Sequence, residues 1–235
     1  MAITQWLHLS ELGSDPWVLP IYAAWNKAVT ENRVAVRPDA VNEAGLHITT
    51  RLNLVRHIVR RLRRDLSALL KEVNAHLTEE HPYTPGHEGI TLPVADHVKY
   101  LLIADLHSVI PEVDACIDRM KAFMGTLHDH VGQQITEKQR IEMINSWMSE
   151  RGVDRKWFNR LASARSFIGH VGPFYLALDT TEPAWDLLLV KANIKQFDDP
   201  RTYVRFSSVM EIMDGFLECR EAMQAHLVTM FEAAK

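Results

Sequence analysis

The sequence predicts an all-α protein: a single helical bundle of about six helices with a small β-hairpin inserted before the last one. Three observations carry this. Apolar residues recur at steps of three and four through most of the 235 residues, the period of a helix with one buried face. Capping residues and Pro/Gly clusters interrupt those runs where helices must end. Only the stretch from Phe174 to Val190 has two short apolar runs around a turn, the pattern of a hairpin. The content of 47% hydrophobic and 24% charged residues excludes a disordered chain, a collagen-like repeat and a low-complexity scaffold.

A first helix is expected around Ile21 to Glu31. The clearest periodicity then runs from about Asn42 to Leu77, where Val55, Ile58, Leu62, Leu66, Leu69, Val73 and Leu77 share one face. His81-Pro-Tyr-Thr-Pro-Gly-His-Glu-Gly ends it, since proline removes an amide donor and glycine adds backbone freedom. The pattern resumes from Asp96 to about Leu127 through Val98, Leu102, Val109, Val113, Cys116, Met120 and Phe123, with Pro111 expected to bend the helix. Leu101, Ile103, Ala104 and Leu106 make its first half apolar nearly all round, which predicts a central position. Thr136 with Gln139 forms a capping box for a shorter helix ending near Gly152. Asp154 then caps a helix through Trp157, Phe158, Leu161 and Ile168 that stops at Gly169. After the hairpin, Ser208 with Glu211 repeats the capping-box pattern before a long helix carrying Ile212, Phe216, Cys219, Met223, Leu227 and Met230. No repeat or linker-like composition shift appears. We read 1–235 as one domain: 1–40 an N-terminal helical extension, 41–172 the bundle helices, 173–206 the hairpin and loop, and 207–235 the C-terminal bundle helix.

Charge narrows the function classes. Lys and Arg total 26 against 30 Asp and Glu, a net charge of −4, so nucleic-acid binding needs a local basic patch. Cys116 and Cys219 are far apart and suit two reduced, buried thiols, with no disulfide framework or zinc knuckle. The N-terminus lacks the basic start and apolar stretch of a secretory signal, and no apolar run is long enough to cross a bilayer, so a cytoplasmic protein without a membrane role is expected.

The segment Ala162-Ser-Ala-Arg165-Ser166-Phe-Ile-Gly169-His170-Val-Gly-Pro173 holds Arg-x4-His where a helix meets a glycine-punctuated turn. Arg51 with His57 and Arg220 with His226 also match Arg-x4–6-His, but inside long helices where a polar face accounts for them. Arg165 instead falls on the Phe158, Leu161, Ile168 stripe, where a charge needs a partner or a cleft. This segment resembles the signature of the HEPN superfamily, helical-bundle proteins whose Arg-x4–6-His motif commonly serves metal-independent RNA cleavage at a dimer cleft. The resemblance implies His170 as acid/base, Arg165 as the phosphate holder, and a homodimer. Where the family often places Asn, Asp or His after the arginine, this chain has Ser166, a polar group able to hydrogen-bond a phosphate. The chemistry agrees: an imidazole titrating near neutrality moves the proton of a ribose hydroxyl or leaving oxygen, and a guanidinium steadies charge gathering on phosphate. On an unbroken helix, residues five apart diverge by about 140°. The helix must therefore end near Gly169, or the pair must meet across two copies.

The best source of positive charge is Arg51, Arg56, Arg60, Arg61, Arg63 and Arg64, with Asp65 beside them. Arg56, Arg60 and Arg64 share a face opposite the leucines and are the candidate RNA-binding residues. Asp105, between Leu102 and Val109 on an apolar seam, requires a partner, with Arg165 one candidate and a helix-end amide or a histidine others. The twelve histidines form scattered pairs only: Glu43 with His47, Asp105 with His107, His128 with His130, and His81 and His87 beside Glu88. No cofactor or metal is expected. The alternative is a non-enzymatic interaction or regulatory module in which Arg165 and His170 are structural.

Overall fold

The structure is a computed structural model and describes residues 15–77, 94–170, 175–181, 184–191 and 199–234, with backbone alone at 77, 170 and 200. In chain order come α1 (Val18–Thr30), α2 (Asp39–Leu77), α3 (Asp96–His130), α4 (Glu137–Glu150) and α5 (Lys156–His170), then β1 (Tyr175–Asp179) and β2 (Asp186–Val190). A 3-10 turn (Pro200–Thr202), β3 (Tyr203–Arg205) and α6 (Phe206–Ala233) complete the order. The fold is mainly all-α, with a small antiparallel sheet before the last helix. The His81, His87 and Glu88 loop lies outside the described residues.

Two compact units form: Met1–Val55 with Ala115–Val153 and Glu218–Lys235, and Arg56–Asp114 with Asp154–Leu217. No composition shift marks this division because three of its boundaries fall inside α2, α3 and α6, where one amphipathic pattern continues across them.

In the first unit, α1 buries Ile21, Trp25 and Ala28 completely, the spacing of a single helical stripe. Trp25 stacks on Phe231 of α6 with centroids 4.8 Å apart. Arg33, just past α1, donates to the carbonyls of Phe231 and Ala234 at 2.7 and 2.6 Å, satisfying acceptors that the end of α6 leaves open. Asp15, 5% exposed, accepts from the Trp17 amide and from Arg220 at 3.0 and 2.6 Å. Tyr22 donates to the Val41 carbonyl at 2.9 Å, and α2 passes so close that a Cβ at Gly45 would lie 1.8 Å from the Tyr22 hydroxyl oxygen. The Thr136–Gln139 capping box opens α4 as predicted. Gly152, at φ +70°, follows its end, a backbone state that favours glycine.

In the second unit, α3 buries Leu102, Leu106, Val109 and Val113, and α5 buries Trp157, Leu161, Ala164 and Ile168. The sheet order is β1-β2-β3, antiparallel throughout. Its central strand is a continuous apolar run, Leu187 to Val190, all buried, as expected of a strand covered on both faces. Tyr175 pairs with Val190 and Leu188 with Arg205, while Arg205 bridges to Asp179 at 2.8 Å across the sheet edge.

Three expectations are corrected. The first half of α3 is not apolar-buried all round: Tyr100 and Leu101 are 70% and 49% exposed, and Ala104 is also exposed. Helix α6 begins at Phe206, so Ser208 lies inside it; the carboxylate of Asp186 instead accepts from the Ser207 amide and hydroxyl at 3.1 and 2.6 Å. That places a negative charge from β2 at the positive helix end, a tertiary substitute for the local cap. Strand β3 was not foreseen, because three residues are too few to establish alternation. Helix α5 ends within one residue of the expected place, running through Gly169 to His170, with Gly169 absent from the positive-φ residues.

Candidate functional site

The Arg165 segment is built on α5, whose first turn is capped by the Asp154 carboxylate accepting from the Lys156 amide at 2.8 Å. Burial of Leu161, Ala164 and Ile168 fixes the rotation of this helix and leaves Arg165 and Ser166 exposed. Arg165 therefore sits beside the apolar stripe and not on it. Its guanidinium pairs with Asp114 of α3 at 2.6 Å, with the arginine side chain 59% and the aspartate 30% exposed. So the acid that meets Arg165 is Asp114, and Asp105 is served elsewhere. Because α5 continues unbroken to His170, that residue occupies a register about 140° around the axis from Arg165. One copy of α5 does not set the two on a common side.

Asp105, 5% exposed, is held by Arg61 of α2 through a two-pronged pair, with Nε 3.1 Å from Oδ2 and Nη2 against Oδ1. This answers the demand that a carboxylate on an apolar seam be matched. Arg64 pairs with its neighbour Asp65 at 2.7 Å. Arg56, Arg60 and Arg63 are exposed, and among the described residues none of them meets a carboxylate. Of the three residues predicted to form the basic face, Arg56 and Arg60 are thus uncompensated and Arg64 is partly neutralised, while Arg63 joins the face.

The arrangement that spacing did not reveal is in the first unit. His128 Nε2 lies 3.1 Å from His226 Nε2, and His128 Nδ1 lies 3.0 Å from Gln133 Oε1. The two rings are 15° from coplanar with centroids 5.2 Å apart, too far for face-to-face contact and right for an in-plane hydrogen bond. With Gln133 Oε1 as acceptor, His128 carries its proton on Nδ1, and His226 donates from Nε2. Trp147 covers the His226 ring at 4.1 Å. Burial pushes His128 below its ordinary value, and burial with the neighbouring His128 pushes His226 down to about 4. The partners stand 98 residues apart, so no local motif could announce them. The Arg220 and His226 match is absorbed structurally, Arg220 by Asp15 and His226 by His128.

Cys116 and Cys219 are buried and not joined in a disulfide, and burial pushes the Cys219 thiol up to about 12, far from the range of a reactive thiolate. Among the described residues no group of three or more His, Cys, Asp or Glu is placed to hold a metal ion, and no helix is long and apolar enough to cross a membrane. Compared with protein-family models, curated proteins and solved structures, the chain matches none.

Proposed function

We propose that this protein binds RNA through the arginine face of α2 and acts on it in the manner of HEPN-like ribonucleases, with two copies supplying the cleavage groups. The observation that carries the binding is the exposure of Arg56, Arg60 and Arg63 on one helical face without an ion-pair partner among the described residues. Like charges at i, i+4 cost a helix about 0.2–0.5 kcal/mol per pair, and phosphate oxygens relieve that repulsion while releasing counterions. In a chain of net charge −4, such a face is a local exception that suits a polyanion.

For cleavage, His170 moves the proton, Arg165 holds the phosphate and Ser166 adds a hydrogen bond, with no metal in the mechanism. The Arg165–Asp114 pair does not block this role. Exposed pairs of this kind contribute about 0–1 kcal/mol, so an arriving phosphate exchanges readily for the carboxylate. The divergence of residues 165 and 170 on α5 is why the reading calls for His170 from one copy and Arg165 from another.

Incubation with a mixed RNA pool in EDTA tests the reading, comparing wild type with His170→Ala, Arg165→Ala and the double variant Arg56→Glu/Arg60→Glu, each checked for native helical circular dichroism. Cleavage that survives chelation and disappears in all three folded variants is expected. RNA binding without cleavage would confine the function to binding. A second reading, a non-enzymatic interaction module, draws on Arg165 already being matched by Asp114; it prevails if wild type neither binds nor cleaves RNA.

A further inference from the structure

The cationic face of α2 continues beyond the arginines. Arg56, Arg60, Arg63, Ser67, Lys71 and Asn74 are all exposed and fall within about 80° of arc over about 27 Å of helix. The stripe contains no acid. The two carboxylates of this half of α2 are engaged elsewhere: Asp65 is buried and bound by Arg64, and Glu72 accepts from the Ala95 amide at 2.8 Å. Lys71, like Arg63, meets no carboxylate among the described residues.

On the C-terminal half of this stripe lies an open groove of about 480 Å³ whose lining, among the described residues, is Arg63, Ser67, Lys71 and Asn74 of the stripe with Leu66 and Leu70 at its edge. Leu66 and Leu70 are half-buried and stand at the border between the stripe and the packed face. They give the groove an apolar floor bracketed by two cations about 12 Å apart along the axis. Phosphate contacts alone need no such floor, and a duplex keeps its base faces stacked inside. An unpaired base offers both an apolar face and flanking phosphates.

We propose that this groove receives an unpaired base of single-stranded RNA, with the base against Leu66 and Leu70 and the adjoining phosphates on Arg63 and Lys71. This rests on the RNA reading above and names its ligand: a single strand, held by backbone charge along α2 and by one base in the groove.

The test is fluorescence anisotropy on the full chain with three labelled 15-nucleotide probes: single-stranded RNA, the same sequence as a blunt duplex, and an abasic ribose-phosphate strand of equal length. Wild type should bind the single strand about tenfold more tightly than either of the others. Leu70→Ala should remove most of that preference while leaving abasic-strand binding unchanged, and native circular dichroism identifies a folded variant. Equal affinity for all three probes, or preference for the duplex, overturns the base groove while leaving RNA binding intact. Failure to bind any probe overturns both. The comparison of probes on wild type decides the matter even if Leu70→Ala does not fold.

Discussion

The His128–His226 pair is a proton-linked contact inside the first unit. Unfolded, both imidazoles take up protons below about pH 6.5; folded, His226 does so only near 4. Between those values the unfolded chain binds more protons, so stability is fully present above about pH 6.5 and falls as the pH drops towards 4. The full difference corresponds to about 3 kcal/mol, and partial exposure of the ring roughly halves it. We expect His226 to account for about 1 kcal/mol of the stability lost between pH 7 and pH 5. Urea unfolding of wild type and His226→Gln at the two pH values measures this as the difference in their losses; equal losses would refute it. The sequence shows each histidine but not the pairing, because a contact between residues 128 and 226 leaves no local period. Asp105 teaches the reverse. Its place on an apolar seam announces that a cation must meet it, and only packing names Arg61 and not Arg165.

At the level of elements, α6 approaches α5 so closely that a Cβ at Gly215 would lie 2.3 Å from Cγ of Trp157. Trp157 is 2% exposed and has little room to withdraw. In an open helix Gly→Ala stabilises by about 1 kcal/mol, whereas overpacking a core costs about 1–3 kcal/mol. Gly215→Ala should therefore destabilise by about 2 kcal/mol, read as a lowered urea midpoint with an unchanged slope. A gain in stability would show that the helices separate without penalty. The start of α4 was legible because the Thr136 and Gln139 groups cap each other within one turn. The start of α6 was not, since its acceptor is Asp186 from β2. The end of α5 was legible to within one residue, expected at Gly169 and found at His170.

For the whole molecule, the net charge and the arginine face of α2 have opposite signs. With a charge of −4 overall, the RNA binding we propose must draw its attraction from this local face, and its strength should then track the few phosphates that face can contact. Taking Arg56, Arg60, Arg63 and Lys71 as four contacts, the logarithm of the binding constant for single-stranded RNA should fall with log salt at a slope of about −3. Titrations from low to moderate salt measure it. A slope near zero would remove phosphate contact as the basis of binding, and reversal of Arg56 and Arg60 should lower its magnitude by about half.

What the sequence by itself determined is the all-α class, the helical segments, the hairpin pairing of β1 with β2 and the arginine-rich face of α2. These follow from periodicity, caps and local composition, which act within a few residues. Only the tertiary structure decided which cations meet which acids, which half of the basic face stays uncompensated, the His128–His226 contact, and the unbroken run of α5 that parts Arg165 from His170. Those outcomes depend on side chains tens of residues apart meeting in space, and burial and Coulomb energies are set by that proximity and not by order along the chain.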